Sequence, residues 1–128
     1  MKKNKKNWNT LTKEESNVLL SKGTEMPFSG EYNGFKGNGH FVCRQCDQQL
    51  YQSKDKFDSG CGWPSFFEPL EGANLKEVSD HSHGTTRTEI RCKKCDAHMG
   101  HVFTDGPPPT GLRYCINSLS LDFQPSAD

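Results

Sequence analysis

Two C-x-x-C pairs, Cys43/Cys46 and Cys92/Cys95, constrain this chain more than any other feature. They belong to an internal repeat, in which Cys43-Arg-Gln-Cys-Asp-Gln-Gln-Leu50 parallels Cys92-Lys-Lys-Cys-Asp-Ala-His-Met99. Each copy has the form C-basic-x-C-D-x-x-apolar and reads as a tight metal knuckle at a hairpin tip. A C-x-x-C turn lets two sulfurs face one ion, and two such turns complete the tetrahedral thiolate set that zinc favours. Four thiolates leave no open coordination position, so the expected role is structural. Iron in the same all-sulfur geometry is chemically allowed, and a thioredoxin-type redox pair is the competing reading of either motif. The 45 residues between the pairs exceed an ordinary zinc-ribbon gap. Such a site ties together distant parts of the fold. A zinc deaminase is excluded, because the H-x-E element and a Pro before the C-x-x-C are missing.

Composition explains why a staple is needed. Leu, Ile, Val and Phe number 23 of 128 residues, which implies a thin core. Disorder would also want a high net charge, whereas 16 Lys+Arg balance 16 Asp+Glu. That balance equally argues against a general nucleic-acid binder. No apolar run exceeds three residues, so no transmembrane helix or signal-peptide core is expected. Without an export signal, six cysteines read as ligands and free thiols of a reducing, cytoplasmic compartment rather than as three disulfides.

Residues 1–7 carry four lysines and read as a disordered basic N-terminus preceding one domain over 8–128. Trp8 to Gly23 reads as a helix, with a T-x-x-E capping box from Thr12 to Glu15 and Gly23 as its stop. Leu11, Val18, Leu19 and Leu20 supply its apolar face. Residues 27–39 hold Pro27 and four glycines and read as an irregular wrap. Beyond His40 the pattern is of short strands. Thr86, Thr88 and Ile90 alternate with Arg87, Glu89 and Arg91, and Leu119, Leu121 and Phe123 alternate with Ser120 and Asp122. The whole reads as a loop-rich, mainly β, antiparallel domain with a short helix. Pro107–Pro109 form a stiff loop before the last cysteine, with a PxxP ligand as the weaker reading.

Cys61 and Cys115 remain outside the metal set. Cys61 lies in Ser-Gly-Cys-Gly-Trp-Pro-Ser-Phe, a loop ill-suited to burying a structural thiol. Cys115 lies in Arg-Tyr-Cys-Ile-Asn-Ser, a strand-like stretch. A free Cys is often a small buried hydrophobe, but two unmatched cysteines beside a separate staple suggest a nucleophile and a resolving thiol. An unperturbed thiol is only about 3% ionised at neutral pH, and a nearby imidazolium raises that fraction. His98 and His101 could serve so, although H-x-x-H alone fits a second metal site or surface histidines equally well. Asn117 shares a strand face with Cys115, where it could donate a hydrogen bond.

Together these elements resemble the B-type methionine sulfoxide reductases, which reduce the R epimer of methionine sulfoxide. The matching pieces are Gly-Thr-Glu-Met-Pro-Phe-Ser-Gly (23–30), Lys-Phe-Asp-Ser-Gly-Cys-Gly-Trp-Pro-Ser-Phe (56–66), Ser-His-Gly (82–84), His-Met-Gly-His-Val-Phe (98–103), Asp-Gly-Pro (105–107) and Arg-Tyr-Cys-Ile-Asn-Ser (113–118). Met26, Met99 and Thr104 depart from the more usual Pro, Leu and Pro. The resemblance implies a tent-like fold of two antiparallel sheets with one structural zinc on Cys43, Cys46, Cys92 and Cys95. It implies Cys115 as nucleophile and Cys61 as resolving cysteine. It further implies His98, His101 and Asn117 at the sulfoxide oxygen, and Trp63, His83, Phe103 and Arg113 around the substrate. The implied partners are oxidised proteins carrying methionine-R-sulfoxide and thioredoxin as reductant, with the enzyme a monomer that binds neither nucleic acid nor membrane. Two rivals stand beside it. A non-catalytic zinc-stapled β module that binds a protein leaves both extra cysteines and the histidines unexplained. A Cys–His hydrolase leaves Cys61 without a role.

Overall fold

The computed structural model describes residues 8–81 and 84–126. The lysine-rich residues 1–7 and the expected substrate residue His83 lie outside them. The chain begins with the helix α1 (Lys13–Leu19). Nine strands follow: β1 (Gly39–Cys43), β2 (Gln49–Gln52), β3 (Lys56–Phe57), β4 (Ser65–Phe66), β5 (Leu75–Asp80), β6 (Arg87–Cys92), β7 (His98–Phe103), β8 (Arg113–Ile116) and β9 (Leu121–Pro125). They form two antiparallel sheets, one of order β2-β1-β9 and one of order β3-β4-β8-β7-β6-β5. The mainly β, two-sheet expectation holds. No helix among the described residues is long and apolar enough to cross a membrane.

The helix is shorter than the sequence pattern suggests. Its capping box is present, with Thr12 Oγ1 accepting from the Glu15 amide at 3.1 Å and Glu15 Oε1 accepting from the Thr12 amide at 2.9 Å. Residues 8–11 precede it, held partly by Asn9, whose side-chain amide donates to the Arg44 carbonyl. At the other end the left-handed residue is Lys22 (φ 60°), not Gly23. Gly23 closes the turn by donating to the Asn17 carbonyl at 2.8 Å. Val18 and Leu19 enter the core, whereas Leu20 is exposed.

The sheets meet through aromatic side chains. Phe41 of β1 packs edge-on against Phe66 of β4, and Tyr51 of β2 stacks on Phe66 with centroids 4.4 Å apart. Ile90, Met99, Ile116 and Leu121 complete a core with essentially no exposed surface. Burial of this kind stabilises by roughly 25 cal/mol per Å² of apolar area.

Two alternation patterns are modified. In β6, Ile90 and Glu89 are both buried, because the strand is internal to its sheet and Lys22, just past α1, reaches over the Glu89 face. At the C-terminus, Ser118–Ser120 is a 3-10 turn rather than strand, and Ser120 is buried with its hydroxyl donating to the His98 carbonyl.

Register places the site. β8 lies between β7 and β4, with Cys115 opposite His101 on one side and Ser65 on the other. Phe103 stands opposite Arg113 and Gly100 opposite Ile116. Side chains alternate across a strand, so Ser65, His101, Phe103, Arg113 and Cys115 share one face while Phe66, Tyr114 and Ile116 face the core. Gly100 is required by this packing, since a side-chain carbon there would run into the Cys115 carbonyl oxygen. Gly100→Ala should therefore cost about 1–3 kcal/mol through overpacking, read as a lower denaturant midpoint, and should shift Cys115.

Candidate active site and metal cluster

The C-x-x-C repeat folds as two superposable knuckles. In the β1–β2 turn the Cys43 amide donates to the Gln48 carbonyl and the Asp47 amide to the Cys43 carbonyl, both at 2.8 Å. The β6–β7 turn repeats this, with Cys92 to Ala97 at 2.9 Å and Asp96 to Cys92 at 2.7 Å. Asp47 and Asp96 both sit at φ 64°. The repeated Asp is thus the turn's left-handed residue, a conformation Asp tolerates better than most side chains. Leu50 and Met99, the repeated apolar positions, are fully buried.

All four sulfurs lie within 4.8 Å of one another and all four residues are buried, so they could hold a metal ion. Cys43 and Cys95 sulfurs are 3.5 Å apart, and those of Cys46 and Cys92 are 3.6 Å apart. A tetrahedral site with metal–sulfur bonds near 2.3 Å needs separations of roughly 3.8 Å. Four buried thiol donors at close to those separations suit such a site. Hydrogen bonding from Cys43 lowers the pKa of Cys95 and Cys46.

A second constellation surrounds Cys115. Cys61, Trp63, His101, Phe103, Arg113, Cys115 and Asn117 line one cleft of about 250 Å³. Seven residues expected at the site are thereby brought together. Cys61 sits in a loop between Gly60 (φ 74°) and Gly62 (φ 97°). That turn brings its sulfur to 3.4 Å from the Cys115 sulfur. Ser59 and Ser65 hydroxyls lie 2.8 Å apart beneath the loop, and the Cys61 amide donates to Ser59 Oγ. Trp63 is fixed by its indole N–H, which donates to the Glu25 carbonyl at 3.1 Å.

The thiols are not equivalent. Burial first, then the neighbouring Cys61 charge, pushes Cys115 up to about 12, with Arg113 opposing. Burial also opposes ionisation of Cys61, but hydrogen bonds from Ser59, Ser65, the Trp63 backbone and the Cys115 thiol outweigh it and bring Cys61 down to about 7. Of the two, Cys61 is the more readily ionised.

The two histidines occupy different positions. His101 faces the cleft, and its Nε2 is 2.8 Å from Asp80 Oδ2. His98 is buried behind it, not on the cleft wall, with Nδ1 2.7 Å from Glu89 Oε2. Their rings meet edge to face at 5.6 Å. Desolvation lowers the His98 pKa, partly offset by the Glu89 carboxylate. Glu89 has no exposed surface, yet Arg91 at 2.8 Å and Lys22 at 3.3 Å keep its charge company. Desolvation opposes its ionisation, but hydrogen bonds from His98 and Arg91 hold its pKa below the usual value.

Asn117 is committed at both ends of its amide. Its Oδ1 accepts from the Glu25 amide at 3.1 Å and its Nδ2 donates to the Met99 carbonyl at 3.1 Å. Arg113 lies over the Phe103 ring at 4.5 Å and pairs with Asp105 at 2.9 Å.

Sequence reasoning passed over Thr24 and Arg87, which also line the cleft, and the carboxylates Asp80, Glu89 and Glu25 behind it. Glu89 between Arg87 and Arg91 has the look of a solvated strand face. Glu25 carried a signal, since it belongs to the 23–30 segment that resembles the family.

Residues 11–125 match the SelR domain family. A curated peptide methionine sulfoxide reductase MsrB of Pseudomonas fluorescens is 61% identical over 115 residues, covering 90% of this chain and 88% of the relative. Its counterpart in Pseudomonas syringae pathovar syringae gives the same identity and coverage. That of Pseudomonas savastanoi pathovar phaseolicola is 63% identical over 108 residues, covering 84% of this chain and 82% of the relative. The fold and these relatives place the chain among the oxidoreductases. More narrowly, the chain belongs to the SelR-domain family of peptide methionine sulfoxide reductases of the B type.

The thiol asymmetry has a direct readout. Brief iodoacetamide treatment of reduced protein at neutral pH should label Cys61 ahead of Cys115, by peptide mapping. Cys61→Ser should let Cys115 titrate well below about 12, because the neighbouring charge is gone. Equal labelling of both thiols would contradict the asymmetry.

Proposed function

We propose that this enzyme reduces the R epimer of methionine sulfoxide in oxidised proteins, with Cys115 as nucleophile, Cys61 as resolving thiol and a protein dithiol of thioredoxin type as final reductant. The observation that carries the reading is the 3.4 Å approach of the two sulfurs in a cleft that also holds His101 and Trp63.

The chemistry follows from the positions. Trp63 and Phe103 offer apolar surface for the sulfoxide methyl group. His101, held by Asp80, is the acid nearest the cleft and would protonate the sulfoxide oxygen. His98 is assigned to support the His101 ring, with Glu89 fixing its own orientation. The second Nδ2 proton of Asn117 is available to the same oxygen. Substrate entry displaces the Cys61 loop, which removes the charge that opposes ionisation of Cys115 and leaves Arg113 to favour it.

The Cys115 sulfur attacks the sulfoxide sulfur. As the oxygen is protonated it passes as hydroxyl from the methionine sulfur to the Cys115 sulfur, the transient sulfur–sulfur bond breaks, and methionine departs leaving Cys115 as a sulfenic acid. Cys61 then attacks that sulfur, expelling water and forming a disulfide. Two electrons from an external dithiol restore both thiols. Every residue in this scheme comes from one chain over 8–128, so a monomer suffices. The four-cysteine cluster is assigned to a structural zinc, which supplies cross-linking and no chemistry. Such a cluster suits a reducing, cytoplasmic setting. His83 is assigned to the substrate side on the family resemblance alone.

A non-catalytic module would have no use for a second, cleft-lining thiol pair. Single-turnover assays separate the steps. Cys115→Ser should release no methionine, since an alcohol cannot replace the thiolate. Cys61→Ser should release about one methionine per enzyme from the R epimer and none from the S epimer, then stall with thioredoxin. Methionine release by Cys115→Ser would remove Cys115 as nucleophile. Metal analysis should find one zinc per chain, and Cys43→Ser should lose it together with thermal stability. Folded, active protein free of metal would contradict that assignment.

A further inference from the structure

A second cleft lies next to the Cys61 loop and takes no part in the scheme above. It has a volume of about 410 Å³, and its walls include Phe28, Lys36, Lys54, Lys56, Phe57 and Asp58. Three lysines face one carboxylate, so the cleft is cationic. Desolvation and the nearby Lys36 charge lower the pKa of Lys56, and its ammonium donates to the Asn33 carbonyl at 2.9 Å. Lys36 and Lys54 are exposed.

Phe28 stands out further. It is 69% exposed and holds a left-handed backbone at φ 65°. An exposed aromatic in that conformation gains nothing from the core and carries strain. Its backbone is tied to the redox loop, its N–H donating to the Gly62 carbonyl at 2.7 Å. On the opposite wall, Asp58 Oδ1 accepts from the Gly60 amide at 3.1 Å. Both residues flanking Cys61 are therefore bonded to walls of the cationic cleft. A macromolecule seated there grips the loop that must move for the disulfide to be reached.

We propose that this cleft is the docking surface for the dithiol protein that reduces the Cys61–Cys115 disulfide, and that the partner presents an acidic rim and an apolar contact for Phe28. This rests on the reading of a protein dithiol as reductant. Lysines steer an acidic partner and Phe28 anchors it beside Cys61. The partner's attacking thiolate then cleaves the sulfur–sulfur bond at Cys61, Cys115 leaves as a thiol after protonation, and the partner closes its own disulfide as the Cys61 thiol is released.

The test compares two reductants on the same enzymes. Lys36→Glu/Lys54→Glu and Phe28→Asn, the latter chosen because Asn tolerates the left-handed backbone, are assayed with a small sulfoxide peptide. With thioredoxin as probe, each variant should raise KM for thioredoxin about tenfold or more, and the wild-type KM should rise with salt. With dithiothreitol, all three proteins should turn over at the same rate. An unchanged KM for thioredoxin in both variants overturns the proposal. So does an equal loss with both reductants, which would make these residues part of the reduction site itself. So does a raised KM for an oxidised protein substrate measured with dithiothreitol, which would give the cleft to the substrate. If wild-type enzyme works with dithiothreitol but with no dithiol protein, the underlying reading fails, and the proposal with it.

Discussion

Everything in this structure hangs on four sulfurs that draw the tips of two hairpins to within 4.8 Å of one another. One hairpin, β1–β2, belongs to the three-stranded sheet. The other, β6–β7, belongs to the six-stranded sheet. Their apolar interface joins a handful of aromatics with aliphatic side chains from both sheets, a modest core for a chain of 128 residues. Clasping the hairpins fixes the start of β7, and β7 carries both histidines and the glycine against which β8 packs. The position of Cys115 is set by that packing. On the proposed assignment, a cross-link with no chemistry of its own thus sets where the Cys115 cleft lies.

The working thiols show the opposite design. They are half-buried, held by strand register on one side and by a glycine-flanked loop on the other. Their proximity lets one proton serve two sulfurs, with Cys61 ionising more readily than the residue assigned as nucleophile. Behind them, two histidine–carboxylate pairs lie side by side, one facing the cleft and one buried. That arrangement gives each imidazole a fixed orientation, with His101 on the cleft and His98 behind it.

Much of this was legible in the amino-acid order. The C-x-x-C repeat carries both the clasp and the shape of its turns, down to the left-handed Asp in each copy. Cys61 and Cys115 stood out because the metal set left them unmatched, and Trp63 through the family resemblance. What stayed hidden depends on which strands are internal. Glu89 sits among charged residues in an alternating run, yet burial on both faces of a central strand makes it the partner of His98. The helix pattern extended to Gly23, but the chain turned at Lys22 so that its ammonium could reach Glu89. The Phe28 backbone and the second cleft are products of long-range packing that no local pattern carries.

The central claim is that Cys61 and Cys115 alone exchange electrons with the substrate while the four clustered cysteines only hold the fold. Peptide mapping by mass spectrometry after one equivalent of methionine-R-sulfoxide, with no external reductant, tests it most directly. The account predicts one disulfide, joining Cys61 to Cys115, with Cys43, Cys46, Cys92 and Cys95 all still reduced. A disulfide that includes any of the four clustered cysteines, or methionine formed with all six thiols intact, would contradict it.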